Sequence, residues 1–131
     1  AGVRTRTELE FTVGDFESAR QFIEALGYVP IAVYEKFRAT YELDETHIML
    51  DELPYGDFVE IEGLGAESIH LTATRLGLDW EASVPMSYLD LFRYLCANGT
   101  SHPLDPSQLT FAALDGIKPS PEMMQVRPAD R

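Results

Sequence analysis

The chain has 131 residues, 45% apolar and 11% aromatic, with 22 acidic residues against 10 basic ones and a single cysteine. That length and apolar fraction suit one domain with its own core and exclude a disordered chain. A formal charge of −12 opposes broad contact with nucleic-acid backbones or anionic lipid, so neither nucleic acid nor membrane is expected as a partner.

From Val3 to Val13 the order alternates: Val3, Thr5, Thr7, Leu9, Phe11 and Val13 fall on one face, and Arg4, Arg6, Glu8 and Glu10 on the other. Period two predicts a strand. Asp15 follows as the expected N-cap of a helix that carries Phe16, Ala19, Phe22, Ile23 and Leu26, with Gly27 at its left-handed end. Its apolar spacing implies packing on the strands. After Pro30, residues Ile31 to Leu43 alternate over a long run and predict one long strand. Asp44-Glu45-Thr46 is a turn, His47 to Asp51 a returning strand, Leu53-Pro54-Tyr55-Gly56 a second turn, and Phe58 to Glu62 a further strand. Short turns between successive strands make an antiparallel meander.

Beyond Gly63 the period changes. Ala66 to Leu76 and Met86 to Ala97 read as helices, the first ended by Gly77 and the second by Asn98-Gly99. Trp80 is expected to anchor the packing between them, and Tyr88, Phe92 and Tyr94 to serve the core or a helix surface. Cys96 lies on an apolar helix face and reads as a buried thiol, and its isolation rules out an intrachain disulfide. Leu109 to Leu114 suits a short strand or a helical turn, and the tail from Lys118, with Pro119, Pro121 and Pro128, suits a surface segment. His47, His70 and His102 lack a second His or Cys at metal spacing and read as surface or cap residues. No apolar run approaches the ~20 residues that span a bilayer, and no basic-then-apolar leader is present, so a cytoplasmic location is expected.

The strand faces carry the chemistry. Residues two apart on a strand point the same way, roughly 6.5 to 7 Å apart. This groups Lys36 with Arg38, His47 and Met49 with Asp51, and Glu60 with Glu62. A charged face is what any half-buried antiparallel sheet shows to water. Here, however, the signs are segregated, cations on one strand and carboxylates on another. Such a face suits a polyanion and a metal ion together: paired carboxylates hold Mg²⁺ or Mn²⁺, while Lys and Arg clamp phosphate oxygens.

In order, Glu35-Lys36-Phe37-Arg38, Met49-Leu50-Asp51-Glu52 and Gly56-Asp57-Phe58-Val59-Glu60-Ile61-Glu62-Gly63 resemble the later half of the CYTH domain. Upstream, Arg6-Thr7-Glu8-Leu9-Glu10 and Leu26-Gly27-Tyr28 resemble its R-x-E-x-E strand and the helix ending in L-G-F/Y. This is the triphosphate tunnel metalloenzyme family, which includes class IV adenylate cyclases and thiamine triphosphatases. The resemblance, over about residues 3 to 63, implies an α+β fold built on a closed eight-stranded antiparallel barrel whose charged faces line a tunnel. It implies that Arg6, Lys36 and Arg38 bind phosphates and that Glu60 and Glu62 hold Mg²⁺ or Mn²⁺. Glu8, Glu10 and Asp51 become supporting tunnel carboxylates, and no catalytic residue is assigned.

The family's E-x-E-x-K strand has no counterpart here: Glu8-Leu9-Glu10-Phe11-Thr12 carries threonine where the lysine stands. The opening strands are therefore expected outside this sequence. Residues 1–65 are assigned to the later strands and helix of the tunnel domain, and 66–131 to a helical extension packed on it. The expected substrate is a triphosphate compound, ATP, tripolyphosphate or thiamine triphosphate, either cyclised or hydrolysed. The competing expectation is a non-catalytic nucleotide- or polyphosphate-binding module. The C-terminal helices are also expected to be able to form a homodimer.

Overall fold

A computed structural model describes residues 2–98 and 103–129. Their chain order is α1 (Phe16–Ala25), β1 (Val33–Tyr34), β2 (Phe37–Leu43), β3 (Thr46–Leu53), β4 (Gly56–Gly63), α2 (Ala66–Arg75), a 3-10 turn (Trp80–Ala82), α3 (Tyr88–Asn98), β5 (Gln108–Leu109) and a second 3-10 turn (Pro121–Met124).

The meander forms as its turn chemistry dictates. Asp44 adopts φ +54 between β2 and β3, and Gly56 adopts φ +153 where β4 begins. The resulting sheet is antiparallel in the order β2-β3-β4. Its register aligns three rows on one face: Arg38, Asp51 and Phe58; Thr40, Met49 and Glu60; Glu42, His47 and Glu62. The opposite face carries Ala39, Leu50 and Val59, then Tyr41, Ile48 and Ile61, then Leu43, Thr46 and Gly63.

Helix α2 covers the last of those rows. The buried Thr46 and Thr72 hydroxyls lie 3.0 Å apart, and Thr46 Oγ1 also donates to the Leu43 carbonyl at 2.6 Å. Gly63 permits this approach, because a Cβ there would lie 2.9 Å from Thr46 Cγ2 and 3.0 Å from Ser68 Oγ. On the charged side, α3 packs its Leu91, Phe92 and Leu95 stripe into a cluster with Leu53, Tyr55, Leu109, Leu114 and Met124. Tyr55 stacks on Phe92 with ring centroids 5.9 Å apart.

Several expectations are corrected. No closed barrel is found: the described strands make one three-stranded sheet and one two-stranded pair. Residues 3–13 alternate but form no strand, and Leu9 and Phe11 remain 91% and 84% exposed. An extended segment becomes a strand only when a neighbour takes its backbone hydrogen bonds. Helix α1 forms as read, with the Asp15 carboxylate accepting from Ser18 N–H at 2.8 Å and Gly27 at φ +94, yet it buries none of its residues.

The long strand over 31–43 splits at Glu35 and Lys36. Its first part leaves the meander to pair in parallel with β5, where Val33 N–H donates to Ser107 O and Glu35 N–H to Leu109 O, both at 2.9 Å. The tail is also more than a surface segment: Met124 is buried and Val126 packs against the core cluster. Trp80 meets His70 of α2 edge to face, with centroids 4.7 Å apart, and His70 and His47 are exposed as expected. His102 and the Gly99 helix stop lie outside the described residues. Cys96 is half-buried beside the core, and burial pushes its thiol pKa up.

Candidate functional site

Strand parity puts Lys36, Arg38, Asp51 and Glu60 on one face, and the structure brings them into contact. Arg38 Nε donates to Asp51 Oδ1 at 2.6 Å and its terminal nitrogen to Oδ2 at 2.5 Å, a bidentate pairing. The same terminal nitrogen reaches Glu60 Oε2 at 2.5 Å, so the guanidinium spans all three strands. Lys36 Nζ lies 3.1 Å from Asp51 Oδ2. It extends from the short break between β1 and β2, which keeps the parity of Arg38.

The Asp51 side chain is fully shielded from solvent, whereas Lys36, Arg38 and Glu60 retain 21%, 31% and 34% of their side-chain exposure. The carboxylate is thus the floor of the site, and the cations stand between it and water. Burial by itself would push Asp51 up, but the Arg38, Tyr88 and Lys36 hydrogen bonds outweigh it and hold the carboxyl down at about 2. The Asp51 hydrogen bond is the largest influence on Arg38 and raises its pKa against the opposing effect of burial.

A further member came from outside the strands. Tyr88, the first residue of α3, donates its hydroxyl to Asp51 Oδ2 at 2.9 Å, and its ring lies 5.3 Å from Lys36 Nζ. Behind it, the buried Tyr55 hydroxyl donates to the Tyr88 carbonyl at 2.8 Å. Burial raises the pKa of both phenols, and the Asp51 hydrogen bond raises that of Tyr88 further. Helical spacing assigns Tyr88 to the core or a helix surface, not to the charged face. The available signal was its hydroxyl, since a buried tyrosine needs a polar partner.

The other expected residues are placed as follows. Glu62 follows Glu60 on the same face of β4 but is exposed, opposite His47. Arg6 pairs with Glu8 at 2.6 Å within the exposed extended segment, and Glu10 is exposed there too. The segment's lack of a sheet neighbour leaves these residues outside the Lys36–Arg38 cluster. Among the described residues no three His, Cys, Asp or Glu side chains gather as a metal cage.

Glu60 Oε2 accepts from Arg38, which leaves its Oε1, with the Glu62 carboxylate, as hard oxygen donors on one face. This suits an ion that keeps several waters and takes the rest of its ligands from phosphate oxygens, as Mg²⁺ does. Asp51 does not fit that role, because both its oxygens already accept hydrogen bonds. Among the described residues, no helix is long and apolar enough to cross a membrane.

The family model described as CYTH domain matches residues 1–83. No curated protein and no solved structure matches the chain.

Proposed function

Because the chain belongs to the CYTH domain family, we propose that its Lys36–Arg38 face binds the phosphates of a triphosphate compound and that the protein turns that compound over with a divalent cation. The family includes triphosphate-binding tunnel enzymes, which are metal-dependent in general. The observation that carries the reading is the convergence of Lys36 and Arg38 on one buried carboxylate, with Glu60 alongside. A planar guanidinium and a mobile ammonium at one spot grip phosphate oxygens from two directions.

Glu60 and Glu62 would hold Mg²⁺ or Mn²⁺, which when bound neutralises phosphate charge and orients the scissile group. Lys36 and Arg38 stabilise the charge that builds on the phosphate oxygens as the bond breaks. Asp51 restrains both cations so that they are already in place. The nucleophile is water in a hydrolase or the ribose 3′-hydroxyl in a cyclase. Arg6, Glu8 and Glu10 join the site only once the extended segment finds a sheet neighbour. A binding module without turnover is the second reading. It is favoured by Asp51, the carboxylate that both cations contact, having both oxygens already engaged as hydrogen-bond acceptors.

The test is to incubate the chain with Mg²⁺ or Mn²⁺ and ATP, tripolyphosphate or thiamine triphosphate, following phosphate release and cyclic nucleotide. The Glu60→Gln/Glu62→Gln variant should lose more than about tenfold in turnover, since loss of outer-shell partners alone typically lowers metal affinity that much. Unchanged turnover would remove the metal assignment. Binding without product from any substrate selects the second reading.

A further inference from the structure

We propose that Tyr88 is a positioning residue of the phosphate site, acting through Asp51 to keep Lys36 and Arg38 convergent while they share their charge between that carboxylate and a bound phosphate. The proposal rests on reading the Lys36–Arg38 face as the phosphate site. It adds a residue that lies beyond the stretch, 1–83, matched by the family model.

Asp51 Oδ2 receives three donors: Lys36 Nζ at 3.1 Å, Arg38 at 2.5 Å and the Tyr88 hydroxyl at 2.9 Å. The first two are the cations a phosphate would recruit. As they turn toward a ligand, a carboxylate with no solvent contact is left short of partners, which is strongly unfavourable. Tyr88 is the one donor of the three that has no reason to leave. Being neutral, it steadies Asp51 without adding a charge that a phosphate would attract, and its raised pKa keeps the proton on the oxygen near neutral pH.

The phenol is itself held in place. Tyr55 donates to the Tyr88 carbonyl, Phe58 packs on the Tyr88 ring with centroids 5.3 Å apart, and the helix begins there on a Ser87 cap. In that cap, the Ser87 hydroxyl accepts from Asp90 N–H at 3.2 Å and donates to the Asp90 carboxylate at 2.6 Å. The hydroxyl meets the carboxylate of the site and the ring meets one of its cations, with Lys36 Nζ 5.3 Å from the ring centre, so one side chain touches both charges.

Tyr88→Phe in the full chain keeps the ring and deletes only the hydroxyl. The probe is tripolyphosphate with Mg²⁺, measured by calorimetry beside Lys36→Ala/Arg38→Ala, together with the Asp51 carboxyl titration followed by carbon-13 NMR. The groups facing Asp51 in that titration are Lys36 and Arg38 from the β2 side and Tyr88 from α3, with Glu60 of β4 reached through Arg38. We expect about a tenfold weaker affinity in Tyr88→Phe, as for a lost hydrogen bond to a charged group, and a higher Asp51 titration midpoint. Equal affinity in Tyr88→Phe and wild type overturns the inference alone. So does a loss of affinity with the Asp51 titration unmoved, which would mark a structural role. Failure of the wild type to bind tripolyphosphate overturns the phosphate reading and this inference with it.

Discussion

Asp51 is the residue on which the site's electrostatics turn. Its folded carboxyl, at about 2 against an ordinary 3.8, means the charged form is preferred in the fold. A depressed acid adds stability that is fully present above its ordinary value and drains away as pH falls toward the depressed one. For a shift of this size the contribution is about 2 kcal/mol, lost between pH ~4 and pH ~2. Urea midpoints measured across that window should fall more steeply for the wild type than for Asp51→Asn, and parallel curves would refute the assignment. The parity of Lys36, Arg38, Asp51 and Glu60 was legible from alternation alone, because a strand's faces follow from counting by two. Tyr88 was not, because it meets Asp51 from 37 residues away, and helical spacing says which side of a helix is apolar but not which sheet it covers.

At the scale of elements, local signals decided what could be read. The β2-β3-β4 meander carries its own instructions in alternating residues and in Asp44 and Gly56 at its turns. The α1 boundaries follow from Asp15 and Gly27. What local pattern could not supply was a neighbour. Residues 3–13 alternate as strictly as β2 yet stay unpaired, and the run over 31–43 breaks because β5 takes Val33 and Tyr34. Gly63 marks where two elements come closest. Gly63→Ala should destabilise the fold by about 1 to 3 kcal/mol through overpacking against Thr46 and Ser68. Urea unfolding with an unchanged slope and a lower midpoint would bear this out, whereas an unaltered midpoint would mean that α2 yields freely.

Across the whole molecule, the buried cluster under the sheet draws most of its residues from beyond the stretch matched to the family. Of the buried cluster, only Leu53 and Tyr55 fall within 1–83, while Leu91, Phe92, Leu95, Leu109, Leu114 and Met124 come later. The sheet face that collects the cations therefore leans on α3 and the tail for its support. A chain ended after Ser83 should show no cooperative melting transition by calorimetry, because most of its apolar cluster is gone. A sharp transition in that fragment would mean that the meander and α2 suffice. The opposite sheet face adds to the contrast: Phe37, Tyr41, Leu50 and Val59 remain between 42% and 65% exposed, so the sheet leaves apolar surface uncovered on the face turned away from the cations.

The pairing of β1 with β5 also sets a timetable. Glu35 accepts from the Phe111 amide, 76 residues further along the chain, so the short strand beside the site cannot be closed until nearly all of the described chain has been made. At ribosomal rates of about 5 to 20 residues per second, the interval is roughly 4 to 15 seconds. Asp51 gains its Tyr88 partner 37 residues after it is made, and Leu53 and Tyr55 lack part of their cluster until Leu109 and Leu114 follow. The site is thus synthesised early and buried late.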